Sequence, residues 1–239
     1  IMNAPAKGLP VTAPRWGAVP NSLRQGAIAS LPLPDRETMN ALAPFEALKI
    51  DQVQVVTTAD AAEALLARWQ AGVVLGFDTE SKPTFRVGEQ SEGPHVVQFA
   101  TSDAAWIFQV GEASVLPALQ AILASPSITK VGFGLGSDIA NINRRLGVQP
   151  QGIVDLCAKF GALGYRKTVG VKHAVAMLFG RRLQKSKSVS TTNWAARTLT
   201  PQQILYAAND AWAAIRVHEV LATEEGQARL RRSAPAQAV

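Results

Sequence analysis

Apolar and polar residues change period repeatedly along the chain, and the changes mark an alternation of strands and helices. Residues 53–56 read as a strand, 59–70 as an amphipathic helix with Leu65, Leu66 and Trp69 on one face, and 73–77 as an apolar, central strand. Residues 95–100 and 105–109, separated by the turn-like Thr101-Ser102-Asp103, predict an antiparallel hairpin joined to that strand, which makes the sheet mixed. A helix over 116–123, a strand over 129–133, a glycine-rich turn, a helix over 137–146 and a short strand at 152–154 follow. The remainder reads as helical segments at 156–163 and 171–179, a basic polar loop from Arg181 to Thr192, and a final helix. That helix has the best-marked start in the sequence. Thr200 stands at the N-cap, Pro201 at the first helical position and Gln203 where a capping box needs it, and the helix is expected to run to about Glu224.

Residues 1–34 lack a sustained period of two or 3.6, and prolines at 5, 10, 14, 20, 32 and 34 forbid a long helix. They are expected to form a Pro/Ala-rich extension ahead of a single α/β domain over 35–239, which opens with a short helix at 35–42 capped by Asp35. No internal repeat is visible.

A 47% hydrophobic fraction over 239 residues is enough to fill a sizeable core. The apolar runs fall short of the roughly 20 residues that cross a bilayer, and no basic segment leads into an apolar block at the N-terminus. A cytoplasmic chain with no membrane partner is expected. The single cysteine, Cys157, excludes an intramolecular disulfide and reads as a small buried thiol. With 24 Lys and Arg against 18 Asp and Glu, the net charge of +6 favours polyanions, nucleic acid before acidic membranes. Part of that excess, Arg229, Arg231 and Arg232, reads as a solvated helix end.

Two acids two residues apart, Asp78 and Glu80, follow the apolar run, and a strand period of two puts both on one face. Like charges buried side by side call for a compensating divalent cation; if the strand has already ended, both are simply solvated. Asp138 begins a helix behind Gly132, Gly134 and Gly136, where the helix dipole alone favours an acid. Tyr206 and Asp210, four apart, share a face of the last helix beside its apolar stripe. The glycines after a strand, with Asp155 about twenty residues on, also admit a dinucleotide-binding dehydrogenase, although the spacing is G-x-G-x-G and the other acids are then unexplained.

Taken in order, Asp78-x-Glu80 on a strand, Asp138 behind a glycine-bearing turn and Tyr206-x-x-x-Asp210 on a late helix resemble the three exonuclease motifs of the DEDD superfamily. The resemblance is to its tyrosine-bearing branch, which includes RNase D and the exonuclease domain of the Werner syndrome helicase. The segment LQKSKSVSTTNWAARTLTPQQILYAANDAWAA is similar to that branch's stretch leading into its third motif, and the likeness covers residues 53–221. It implies a ribonuclease H-like mixed sheet flanked by helices. The activity implied is 3′–5′ exonuclease hydrolysis of DNA or RNA with a free 3′ end, releasing nucleoside 5′-monophosphates with two ions of Mg²⁺ or Mn²⁺. By the same resemblance Asp78 bridges both ions, Glu80 and Asp210 complete the site of the attacking water, Asp138 supports the second ion, and Tyr206 orients the water. Lys82 and Arg86 after the first acids, and Arg181, Arg182, Lys185 and Lys187 before the last helix, are the candidate phosphate contacts. Thr79 and Phe133 are candidates for the terminal-nucleotide pocket. His95, His173 and His218 read as core or surface residues, and Trp194 and Trp212 as packing. Too little sequence follows Leu221 for RNase D's helical nucleic-acid-binding domain, and helicase motifs are not found, so substrate preference is not inherited from either relative. A non-catalytic nucleic-acid-binding protein on the same fold is the other reading.

Overall fold

Six strands form one mixed sheet in the order β1-β4-β3-β2-β5-β6 in a computed structural model that describes residues 31–84 and 88–233. They are β1 (Val53–Val56), β2 (Val73–Glu80), β3 (Val96–Ala100), β4 (Ala105–Gln109), β5 (Ile128–Gly132) and β6 (Ile153–Asp155). The expected hairpin β3–β4 is antiparallel and joins β2 antiparallel, while β1–β4, β2–β5 and β5–β6 are parallel. Side chains alternate across β2. Leu75 and Phe77 enter a core shared with α2 (Ala59–Trp69), α3 (Leu116–Ala124) and α4 (Gly136–Leu146), where Trp69, Phe99, Trp106 and Phe108 make edge and tilted ring contacts. Val74 faces the opposite layer, built from α5 (Leu156–Ala162), α6 (Val171–Phe179) and α8 (Pro201–Leu221).

Helix α8 crosses the centre of that second layer. Its start is as predicted: the Thr200 hydroxyl accepts from Gln203 N, the Gln203 carboxamide oxygen accepts from Thr200 N, and Pro201 is the first helical residue. Small residues Ala207, Ala208 and Ala211 line the buried side of α8. Opposite them β2 carries Gly76, where a Cβ would lie 1.9 Å from the Ala211 carbonyl oxygen. The absent side chain is therefore what lets helix backbone and strand backbone meet.

Buried polar groups elsewhere are held by the backbone. The fully buried Lys130 ammonium donates to Ile122 O at 3.1 Å and Ser125 O at 2.9 Å, satisfying carbonyls at the end of α3. Burial lowers its pKa to about 8.

Strand β2 runs three residues past the expected end at Phe77, because β3 supplies a ladder as far as Glu80↔Val96. The polar letters of Asp78, Thr79 and Glu80 hid this pairing. The basic segment expected as a loop contains a short helix, α7 (Lys187–Ser190), capped by the Ser186 hydroxyl. The last helix stops at Leu221, and a separate α9 (Glu224–Ser233) turns back. Thr223 makes the corner, its hydroxyl donating to Val220 O and accepting from Gly226 N, and Gly226 sits where a Cβ would meet Val220 O at 1.9 Å. Of the arginines expected as a solvated helix end, Arg229 has a side chain 40% exposed and also tethered, donating to Leu178 O and pairing with Glu225, while the side chains of Arg231 and Arg232 lie outside the described residues.

The helix α1 (Arg36–Ala41) is capped by Asp35 as expected. Leu31 and Leu33 pack on the second-layer core, while residues 1–30 of the expected extension lie outside the described residues. Among the described residues no helix is long and apolar enough to cross a membrane.

The Gly76 contact gives a direct test. Gly76→Ala is expected to push α8 off β2 and lower stability by about 2 kcal/mol, the usual scale of overpacking, read from the urea midpoint. An unchanged midpoint would mean that the approach is not close.

Candidate active site

The alternation that points Val74 and Gly76 at α8 also points Asp78 and Glu80 there, and the Gly76–Ala211 contact sets Asp210 against them. One carboxylate oxygen from each of Asp78, Glu80 and Asp210 lies within 4.8 Å of the others. Asp210 is buried, 6% exposed, and Asp78 and Glu80 are partly buried. Asp138 stands in the first turn of α4, reached from the other face of β2. The Thr79 hydroxyl donates to Asp138 Oδ1, so Asp138 is tied to the strand that carries the pair while lying outside the three-carboxylate group.

Burial of like charges dominates the electrostatics. Burial first, then the charge of Asp210, pushes the Asp78 carboxyl up to about 8, against the pull of Lys185. Burial and the charges of Asp78 and Asp210 push Glu80 up to about 9. Asp210 and Asp138 are both raised, chiefly by burial, with Lys185 opposing the shift at Asp210 and the Thr79 hydrogen bond opposing it at Asp138. The compensating cation is Lys185, whose Nζ lies 2.7 Å from Asp210 Oδ2. Burial alone would lower its pKa, but Asp210 and Asp78 reverse this and keep it protonated.

Tyr206 sits one turn before Asp210, with the Lys185 ammonium 5.6 Å from its ring centroid. Its other neighbour is Trp194, fully buried, at 5.9 Å between ring centroids and itself anchored by Nε1 donating to Ser190 O. Burial and Asp210 push the Tyr206 hydroxyl up to about 12. From this group a cavity of about 1180 Å³ opens, lined by Tyr206, Asp210, Lys185, Arg182, Lys172 and Arg36 among others. Its far wall is residues 34–48, fastened by Arg182 N to Ala43 O, Phe45 N to Arg182 O, and Leu48 N to the Asn209 side chain.

The other candidates are scattered. The Lys82 amide donates to His95 Nδ1, Lys187 is exposed on α7, and Arg86 lies outside the described residues. Phe133 is partly buried, stacked 6.5 Å from Phe160. Trp212 is packed, with Nε1 donating to Ser102 O at 2.9 Å, and Cys157 is a partly buried thiol raised by burial. Asp155 removes the dinucleotide reading: its carboxylate accepts from Gly134 N, Leu135 N and Cys157 N, so the turn amides a pyrophosphate would need are already used. Two positioning features were missed from sequence. One is the Trp194 support of Tyr206, hinted at only by the Asn-Trp text; the other is the Lys185–Asp210 pair, which no spacing rule joins across twenty-five positions.

The raised carboxyls set a pH dependence. Asp78 and Glu80 bind protons more readily folded than unfolded, so their contribution is fully present below about pH 4 and is lost as pH rises through 8 to 9. The melting temperature in EDTA is expected to fall between pH 5 and 9 by more in the parent than in Asp78→Asn, and millimolar Mg²⁺ or Mn²⁺ is expected to offset the loss. Equal slopes for the two chains would contradict the assignment of strain to this cluster.

Comparison with known proteins agrees with the geometry. The family model described as 3′-5′ exonuclease matches residues 53–224. The mouse bifunctional 3′-5′ exonuclease/ATP-dependent helicase WRN is 32% identical over 162 residues, covering 66% of this chain and 12% of the relative. Ribonuclease D of Acidiphilium cryptum (strain JF-5) is 32% identical over 179 residues, covering 72% and 44%. Among solved structures, the Aedes aegypti Nibbler EXO domain superposes with a TM-score of 0.63 at 21% identity, covering 79% of this chain and 94% of that one. The chain spans only 12% and 44% of those two curated relatives' lengths. On the family match over residues 53–224, with the mixed sheet and carboxylate cluster it brings together, this chain belongs to the 3′–5′ exonuclease family.

Proposed function

We propose that the chain is a metal-dependent 3′–5′ exonuclease that hydrolyses the phosphodiester bond at the free 3′ end of DNA or RNA and releases nucleoside 5′-monophosphates. The activity is assigned to the unit beginning at residue 35, with 1–34 as an extension. The observation that carries the proposal is the group of three carboxylates from β2 and α8 within 4.8 Å of one another, against which Lys185 supplies one positive charge. Such a group is stable with all carboxyls ionised when divalent cations complete the balance. The donors are all oxygen, which suits Mg²⁺ or Mn²⁺ and disfavours zinc.

Gln98 supports the fit. It is the cross-strand partner of Asp78 on β3, fully buried, and both its amide atoms lack a hydrogen-bond partner in the described structure. Directly opposed residues of an antiparallel pair project to the same face, so a hydrated ion held at Asp78 would lie on the side of the sheet to which that amide projects.

Asp78, Glu80 and Asp210 are the residues proposed to hold the ions, with Asp138 supporting the second from its place beside Thr79. A bound pair of divalent ions supplies charge neutralisation at the attacking and leaving oxygens. The Tyr206 hydroxyl, pushed up to about 12, remains protonated at neutral pH, so its part is to orient the attacking water by hydrogen bonding. The Trp194 ring and the Lys185 ammonium hold the phenol in place. Lys185 and Lys187, together with Lys82 and Arg86 that follow the first acids in sequence, are the proposed phosphate contacts, and Thr79 and Phe133 are proposed to border the terminal nucleotide. The name ribonuclease D carried by the bacterial relative supports RNA among the substrates.

On a 5′-labelled single strand with Mg²⁺ or Mn²⁺, the chain is expected to give a ladder shortening from the 3′ end. Asp78→Ala abolishes it with the circular dichroism spectrum retained; undiminished shortening by that variant would end the proposal. Tyr206→Phe is expected to lower kcat by about 100-fold with Mn²⁺ affinity unchanged. Equal turnover would remove the water-orienting role.

A further inference from the structure

The ion pair between Lys185 and Asp210 engages a carboxylate that the proposed metal site also needs. Asp210 Oδ2 is held at 2.7 Å by the lysine, and the Asp210 side chain is only 4% exposed, so solvent cannot replace that partner. Among the described residues, Lys185 is the only side chain in an ion pair with any member of the three-carboxylate group.

We infer that Lys185 is a resident, exchangeable cation, which neutralises Asp210 in the metal-free protein and moves off it when the site is loaded, to meet a non-bridging oxygen of the substrate phosphate. The inference rests on the exonuclease reading and goes beyond it by giving one lysine two successive anionic partners.

Three features support exchange over a fixed bridge. Lys185 lies between the buried anchor Leu183 and Ser186, the cap of α7, and so projects from a connecting segment and not from the middle of a helix. Its side chain is 22% exposed and lines the cavity of about 1180 Å³, where Arg36, Lys172 and Arg182 stand against Asp35 and Glu46, so the ammonium has open space to move into and an anionic strand meets no net repulsion. The residue is also a lysine. An ammonium on a four-carbon stem makes single, movable contacts, whereas a guanidinium would bind the Asp210 carboxylate with two parallel hydrogen bonds and resist displacement. Tyr206 lies beneath the same ammonium, so release from Asp210 leaves the lysine beside the phenol that orients the water.

Competition between like charges fixes the sign of the test. Mn²⁺ binding to the full chain is measured by calorimetry at low ionic strength, with thermal unfolding as the fold control. Lys185→Met is expected to bind Mn²⁺ about 10-fold more tightly than the parent, and Lys185→Gln likewise, whereas Lys185→Arg binds no more tightly. The second half is read with an oligonucleotide protected by a 3′ phosphorothioate linkage. Lys185→Met is expected to weaken its binding about 10-fold with Mn²⁺ present and much less in EDTA, where the parent lysine is held by Asp210. Unchanged or weaker Mn²⁺ binding by both the Met and Gln variants overturns the exchange, as does an equal loss of oligonucleotide affinity with and without metal. If the parent binds Mn²⁺ and shortens nucleic acid while these results fail, the exchange alone falls. If the parent binds no Mn²⁺, the exonuclease reading falls with it.

Discussion

Contact between the Ala211 carbonyl of α8 and the bare backbone of Gly76 on β2 is the constraint on which the site depends. A helix normally stands off a sheet by the depth of its side chains. Here glycine on the strand and alanines on the helix let the backbones meet, and the neighbouring acids have nowhere to separate. Asp210 precedes Ala211, and Asp78 is the next residue of β2 on the same face after Gly76. Close packing in one layer thereby becomes a concentration of charge a few ångströms further along it.

The cost of that arrangement shows in the titration of the groups. Asp78 and Glu80 are pushed up to about 8 and about 9, so the folded metal-free chain resists the very ionisation that a metal site requires. A fold that stores unfavourable charge at one place and is stabilised elsewhere by a continuous aromatic and aliphatic core is the usual stability–function compromise. The remaining groups divide the work around the cluster. Thr79 ties Asp138 to β2, Trp194 supports Tyr206, Lys185 balances Asp210, and Asp155 locks the glycine turn that starts α4.

Much of this was legible before the structure, for identifiable reasons. Periods of two and 3.6 located the strands and helices because each has one face in a core, and the Thr200–Gln203 box marked the start of α8 because capping is local chemistry. The five residues Asp78, Glu80, Asp138, Tyr206 and Asp210 stood out by their order, and three of them meet directly. Where the reading failed, the deciding contact lay outside the element itself. The last residues of β2 needed Val96 and Val97 as partners, the break at Leu221 needed the Gly226–Val220 approach, and the Arg229 contact needed the end of α6. Asp155 was ambiguous for the same reason: a carboxylate that binds a ribose and one that closes a turn have the same sequence position.

On the proposed function, backbone packing of α8 on β2 assembles a divalent-metal site from Asp78, Glu80 and Asp210. The decisive experiment is manganese anomalous scattering from a crystal of the chain soaked in Mn²⁺. A strong peak is expected within about 2.2 Å of an oxygen from each of the three carboxylates, the usual span of small divalent ion–oxygen bonds. An ordered cluster with no anomalous peak, or manganese bound only elsewhere on the chain, would contradict it.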